Sequence, residues 1–140
     1  MASIRKEISL RASPEAVWDV VRDVAAVTTR FAPGFVVDVQ MEQGARLVTF
    51  GNGMVVRETI VDLDETARRL AYSVASEQLT HHNASFQVLA DRPGSRLVWM
   101  ADLLPDTAAA TIDAMMEQGA AAAKRTLDGL APRPTGWRGS

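Results

Sequence analysis

The sequence contains no cysteine, so disulfide bridges and thiolate metal sites are excluded. Its basic residues are scattered and the formal net charge is -2, whereas a nucleic-acid surface needs clustered Lys and Arg. No apolar run approaches the roughly 20 residues of a membrane span, and the first ten residues show no signal-peptide apolar region. We therefore expect a soluble, cytoplasmic protein with no membrane span and no nucleic-acid partner.

Hydrophobic residues make up 47% of the 140 residues, which is enough for one core and too much for a disordered chain. We expect a single ligand-binding domain over residues 1–131. The remaining residues, 132–140, are rich in Pro and Gly and predict a flexible C-terminal tail.

The first quarter of the chain predicts a strand followed by two short helices. Ile4, Ile8 and Leu10 alternate with mostly polar residues, as in a half-buried strand. Ser13-Pro14-Glu15 then supplies a helix N-cap, a proline at the first helical position and an acid in the first turn. A second short helix is predicted over about residues 24–31, before a Pro-Gly pair ends it.

Six further strands are predicted after Gly34, where the apolar period changes. The Asn-Gly pair within residues 51–53 is typical of a tight hairpin turn. Short strands joined by short turns favour a sequential antiparallel sheet. The predicted strands are residues 35–39, 46–50, 54–63, 70–76, 81–89 and 96–103.

A long helix is predicted from Asp106 onward, because apolar residues recur there at helical spacing. Roughly 25 residues would make a helix of about 37 Å. A twisted antiparallel sheet curls, so a straight helix cannot contact it along its whole length. Gly119, Ala122 and Ala123 on the inner stripe of the helix either permit close contact with the sheet or leave the roof of a cavity.

Six segments in this order resemble the START and polyketide cyclase/dehydratase-like superfamily, also called SRPBCC, over about residues 3–130. The resemblance implies a helix-grip fold of the α+β class, with a curved antiparallel sheet of about seven strands around a long C-terminal helix. It also implies a hydrophobic cavity between the two, suited to hydrophobic ligand or lipid binding. The segments are SPEAVWDVVRDV, FAPGF, VTFGNGMVVRE, RRLAYSV, HHNASFQV and LVWMADLLP.

Strand alternation and helix periodicity select the side chains that would face such a cavity. On each strand, one set of alternating positions carries the larger apolar residues and is expected to face the cavity. Glu58 and His82 occupy positions in that set. Tyr72, Phe86 and Trp99 would form an aromatic wall, or pack as ordinary core. The candidate ligand-binding residues are Met54, Val56, Glu58, Tyr72, Val74, His82, Phe86, Trp99, Met115, Met116 and Gly119.

Both histidines of the chain are adjacent, at His81 and His82. Neighbouring residues on a strand point to opposite faces, so the two imidazoles cannot share a metal ion, and we expect no metal site. His81 should face solvent and His82 the cavity. His82 then either lies in the wall, bonded to a backbone group or water, or contacts the ligand or acts as a general acid/base.

Glu58 is the other catalytic candidate, because a carboxylate on an inward face needs a partner. Arg57 points the other way, whereas a turn at Glu65-Thr66 would bring Tyr72 near Glu58 across the hairpin, where it could be the partner. Alternatively, Glu58 lies on the outer face and pairs with a surface arginine. In the inward arrangement, Glu58 and His82 would lie on the order of 12 Å apart and could contact two ends of one ligand.

Three functions are compatible with these patterns. The first is binding of a small hydrophobic or aromatic molecule in the cavity, without a cofactor. The second is a polyketide cyclase or dehydratase-type enzyme, with Glu58 or His82 moving a proton next to a carbonyl. The third is a homodimeric interaction domain with a filled interior. The residue pattern leaves open whether the protein is an enzyme.

Overall fold

The computed structural model describes residues 1–131, and seven antiparallel strands run through most of them. They form one curved sheet in the spatial order β1-β7-β6-β5-β4-β3-β2, so the strands after the first follow each other as a meander. The strands are β1 (Ala2–Leu10), β2 (Val36–Glu42), β3 (Ala45–Phe50), β4 (Val55–Asp64), β5 (Arg69–Ala75), β6 (His81–Asp91) and β7 (Gly94–Leu104). The predicted helix-grip fold is confirmed.

Two helical segments follow β1. Helix α1 (Pro14–Val21) begins as predicted, because the Ser13 hydroxyl accepts a hydrogen bond of 3.2 Å from the Ala16 amide. The second segment differs from the prediction over residues 24–31: it is a π-helical turn, Val27–Phe31, that begins three residues later. Its buried residues, Val27 and Phe31, point at the sheet.

The C-terminal helix α2 (Ala109–Asp128) has 20 residues and is preceded by a 3-10 turn, Asp106–Ala108. It is therefore about 30 Å long, shorter than predicted from periodicity alone. No helix within residues 1–131 has the length and apolar character that a membrane-spanning segment requires.

Polar contacts tie α2 to β1 at both ends. Lys6, the one charged residue on the apolar face of β1, has its amine 2.5 Å from carboxylate oxygens of Asp113 and Glu117. Near the other end, the Lys124 amine donates to the Ser9 carbonyl at 2.6 Å. The C-terminal half of α2 thus lies directly on the sheet, and its buried residues there are Gly119, Ala122, Ala123 and Leu127.

The predicted tail, residues 132–140, lies outside the described residues. The assignment of residues 1–131 to a single domain stays a prediction.

Candidate functional site

A cavity of about 530 Å³ lies between the inner face of the sheet and α2. Turns β3–β4 and β5–β6 and the β7–α2 connection lie at one end of the sheet, because successive antiparallel strands reverse direction. These connections contribute Met54, Gln78 and Thr107 to the cavity lining, and Gln78 and Thr107 are exposed. The cavity mouth is therefore at this end.

This empty space corrects one sequence-based alternative, the interaction domain with a filled interior. The sheet curls away from the N-terminal half of α2, and the side chains between them do not fill the gap. Homodimer formation itself stays a prediction.

All eleven residues proposed as ligand contacts line this cavity. Gly119 shows that the two interpretations of the small helix residues were not exclusive. A Cβ at Gly119 would lie 2.8 Å from the Phe35 ring and 3.0 Å from the Trp99 ring, so glycine permits close contact with both. Those two rings also line the cavity.

Aromatic rings form one wall of the cavity. The Phe86 ring stacks on Trp99, with centroids 4.8 Å apart, and on Tyr72, with centroids 5.9 Å apart. Phe31, from the π-helical turn, meets Phe86 edge-on at 5.0 Å. The wall combines residues of β5, β6 and β7 with one helical residue that sequence patterns did not place there.

Tyr72 presents an unused hydrogen-bond donor to this apolar space. The Trp99 indole donates to the Tyr72 hydroxyl oxygen at 3.0 Å, and an indole N–H can only donate. The hydroxyl's own hydrogen has no acceptor among residues 1–131. Burial, and then the charge of Glu58, raise the pKa of Tyr72, so this hydroxyl stays protonated.

Glu58 lies on the inner face, 7% exposed, and forms a buried ion pair with Arg46. The Arg46 Nε and Nη2 atoms both lie 2.8 Å from Glu58 Oε1, while Nη1 donates to the Val24 carbonyl at 2.8 Å. The alternative of an outward Glu58 with a surface arginine is therefore wrong.

Tyr72 lies near Glu58, as predicted, but two residues from the position directly opposite, and the partner of Glu58 is Arg46 instead. Glu58 lies opposite Val74, and Tyr72 lies opposite Ile60. The turn extends to Arg68, which has a positive φ of 52°, and this moves the register away from Tyr72; the bulge after Ile60 restores one residue of that shift.

Arg46 is a polar residue of the candidate site that sequence reasoning missed, although a signal was present. The hairpin centred on Asn52 places Arg46 directly opposite Glu58, since six residues separate each from the turn centre. Alternation along β3 puts Arg46, Val48 and Phe50 on one face, and all three line the cavity.

His82 is half-buried in the cavity wall near the mouth, and His81 does not line the cavity. The His82 Nδ1 atom is buried without a hydrogen-bond partner among the described residues. Ser73 lies opposite Asn83, so His82 is level with Val74 and hence with Glu58. The two side chains start two strand spacings apart, about 10 Å, which is close to the predicted separation.

Burial, and then the neighbouring charge of His81, lower the pKa of His82. The unfolded chain therefore binds a proton more readily, and stability should be lost as the pH falls below about 6.5. We expect the native protein to lose stability relative to His82→Gln between pH 7 and 5, in urea titrations followed by circular dichroism. A difference that is independent of pH would contradict this expectation.

The sequence profile of the family described as "Polyketide cyclase / dehydrase and lipid transport" matches residues 1–133. No functionally curated protein matches the sequence. Among solved structures, the protein XoxI from Bacillus cereus is 17% identical with a TM-score of 0.81, over 91% of this chain and 96% of that chain.

Two further similar structures share the fold. A START superfamily protein from Mycobacterium smegmatis is 12% identical with a TM-score of 0.68, over 91% of this chain and 94% of that chain. A norcoclaurine synthase point mutant from Thalictrum flavum, in complex with a transition-state analogue, is 16% identical with a TM-score of 0.66, over 90% and 93%. At these identities the likeness concerns the fold alone.

Proposed function

The chain belongs to the polyketide cyclase/dehydrase and lipid transport family, and on that basis we propose that it binds a small hydrophobic or aromatic molecule between its curved sheet and α2. The observation that carries the proposal is the cavity of about 530 Å³ with its wall of stacked rings. This volume is typical of small-molecule sites, which usually lie within about 300–1,000 Å³.

Apolar contact would supply most of the affinity, because each Å² of apolar surface removed from water contributes about 25 cal/mol. The stack of Tyr72, Phe86 and Trp99 offers flat faces to an aromatic ligand. Met115 and Met116 of α2 lie over the same space, and their flexible side chains can adjust to ligands of different shapes.

Binding rather than proton transfer is the role that we propose for Glu58. One of its carboxylate oxygens accepts a hydrogen bond from Arg46 Nε and lies 2.8 Å from Arg46 Nη2, and that guanidinium also donates to the Val24 carbonyl. An ion pair held in this way can act as a fixed polar group that orients a ligand. His82, with its unpartnered Nδ1, would contact a ligand polar group nearer the mouth.

Filling the cavity should weaken binding. Val56 and Val55 are neighbours on β4, but Val56 is 6% exposed and lines the cavity, whereas Val55 is 56% exposed on the outer face. We expect Val56→Phe to weaken binding of the neutral fluorescent probe N-phenyl-1-naphthylamine by about tenfold or more, a loss of roughly 1.4 kcal/mol. Val55→Phe adds the same ring outside and should bind like the native protein.

The measurement is a fluorescence titration of the probe, with circular dichroism to show that both variants are folded. Equal weakening in the two variants, or no binding to the native protein, would refute the cavity as the binding site.

A further inference from the structure

We infer that the ligand carries an uncharged hydroxyl group that binds between Tyr72 and Glu58, and that the cavity discriminates against carboxylates. The inference rests on the proposed function, since it specifies the chemical class of molecule bound at the same site.

Two unused hydrogen-bonding groups of opposite kind face the cavity from neighbouring strands. Tyr72 has a free O–H donor, because its oxygen already accepts from Trp99. Glu58 has a free acceptor, because the hydrogen bond and the ion-pair contact from Arg46 both go to Oε1 and no donor among the described residues hydrogen-bonds to Oε2. A hydroxyl group accepts one hydrogen bond and donates another, so one hydroxyl satisfies both residues.

The geometry brings these two side chains to the same place. Glu58 lies opposite Val74, and Tyr72 is two residues from Val74 on the same face of β5. Such diagonal neighbours start about 7–8 Å apart, within reach of long side chains. Arg46 lies beside both, with its guanidinium carbon 5.7 Å from the Tyr72 ring centroid. A ligand oxygen can therefore bridge the gap between the hydroxyl and the carboxylate.

The balance of charges lining the cavity is the basis for the expected discrimination against carboxylates. Arg46 is the one Lys or Arg among the described residues that line the cavity, and Glu58 matches its charge. A ligand carboxylate at this position would meet the free oxygen of Glu58, which repels it, and would find no unmatched positive charge. A neutral hydroxyl avoids both costs.

The experiment compares three naphthalenes of similar size: 2-naphthol, 2-methylnaphthalene and 2-naphthoate. Each competes with N-phenyl-1-naphthylamine at pH 7, and affinities are referred to the probe affinity of the same protein. We expect 2-naphthol to bind about tenfold more tightly than 2-methylnaphthalene, because it satisfies two buried groups. 2-Naphthoate should bind most weakly of the three.

Two variants separate the contributions of the two residues. Tyr72→Phe should reduce the advantage of 2-naphthol over 2-methylnaphthalene to less than about threefold. Glu58→Gln removes the negative charge but keeps a side-chain carbonyl oxygen that can accept a hydrogen bond from Arg46. It should bind 2-naphthoate about tenfold more tightly than the native protein does, because the Arg46 charge is no longer matched. One variant reduces the advantage of 2-naphthol and the other strengthens binding of 2-naphthoate. General damage to the cavity would weaken binding in both and cannot explain this result.

Glu42→Gln is the matched control, because Glu42 pairs with Arg57 at 3.1 Å with both side chains exposed. It removes the same charge from outside the cavity and should leave the ranking of the three naphthalenes unchanged.

The outcomes distinguish this inference from the proposed function. If the probe binds to the native protein but 2-naphthol has no advantage, or 2-naphthoate binds best, the hydroxyl inference is overturned and the binding function stands. If neither the probe nor any naphthalene binds, the proposed function fails as well. If one variant does not fold, the other still decides, because either predicted change alone requires the ligand to contact that residue.

Discussion

Replacing Arg46 with methionine should lower the free energy of unfolding by about 3–5 kcal/mol. Arg46 is 5% exposed, and its guanidinium holds the carboxylate of Glu58 and the carbonyl of Val24. Without it, a carboxylate would remain buried with no positive partner, and the hydrogen bond from the sheet to the loop between α1 and the π-helical turn would be lost. Proteins are typically stable by only about 5–15 kcal/mol, so this single change would remove a large part of the total.

The reciprocal change, Glu58→Leu, should cost a similar amount, because it leaves the Arg46 charge unmatched. The double variant Arg46→Met/Glu58→Leu should lose far less than the sum of the two, because it leaves no uncompensated charge. Urea unfolding followed by far-UV circular dichroism gives the three values. Losses that simply add would mean that the two side chains are energetically independent, contrary to the contacts in the structure.

The exposed pair of Arg57, on β4, and Glu42, on β2, provides the control on the opposite face of the sheet. Water solvates both partners there even when they are separate. Arg57→Met and Glu42→Leu should each cost less than about 1 kcal/mol. The contrast tests burial directly, because Arg57 and Glu58 are adjacent in sequence and differ in the face of β4 on which they lie.

The same pair shows how far the sequence could predict this site. Alternation places Glu58 on the inner face, because side chains on a strand alternate between its two faces. This assignment does not depend on the exact ends of the strand. The partner of Glu58 was not predicted, because that requires the exact register of two hairpins. The β3–β4 turn, with its Asn-Gly pair, fixes Arg46 opposite Glu58. The β4–β5 turn is centred one residue later than predicted and a bulge follows Ile60, so Glu58 lies opposite Val74 and Tyr72 is its diagonal neighbour.

The cavity itself was predictable in kind but not in size. A curled sheet and a straight helix leave space at one end. The spacing of the apolar residues along the chain predicts the order of strands and helices. The volume depends on which rings approach the helix. Phe35 and Phe31 both line the cavity, yet they come from a loop and a π-helical turn whose conformations have no periodic signal. Gly119 admits Phe35 and Trp99 to the helix surface, a contact that no local pattern reveals.

Leu127→Ala should lower the free energy of unfolding by about 3 kcal/mol, within the usual range for a leucine removed from a close-packed core. Leu127 is 0% exposed in the C-terminal half of α2, between contacts that hold this half on the sheet. Lys124 donates to the Ser9 carbonyl, and Asp128 accepts from the Arg11 amide at 3.0 Å. With its helix fixed on both sides, the cavity left by the missing side chain cannot collapse.

Leu130, just beyond the end of α2 and 44% exposed, is the matched control, and Leu130→Ala should change stability by less than about 0.5 kcal/mol. Met115→Ala, in the half of α2 that roofs the ligand cavity, should cost about 1 kcal/mol or less, because Met115 is half-exposed and borders space that is already empty. Urea unfolding gives all three values. If Met115→Ala cost as much as Leu127→Ala, α2 would be packed equally along its length. The division of this helix into a half packed on the sheet and a half that roofs the cavity would then be wrong.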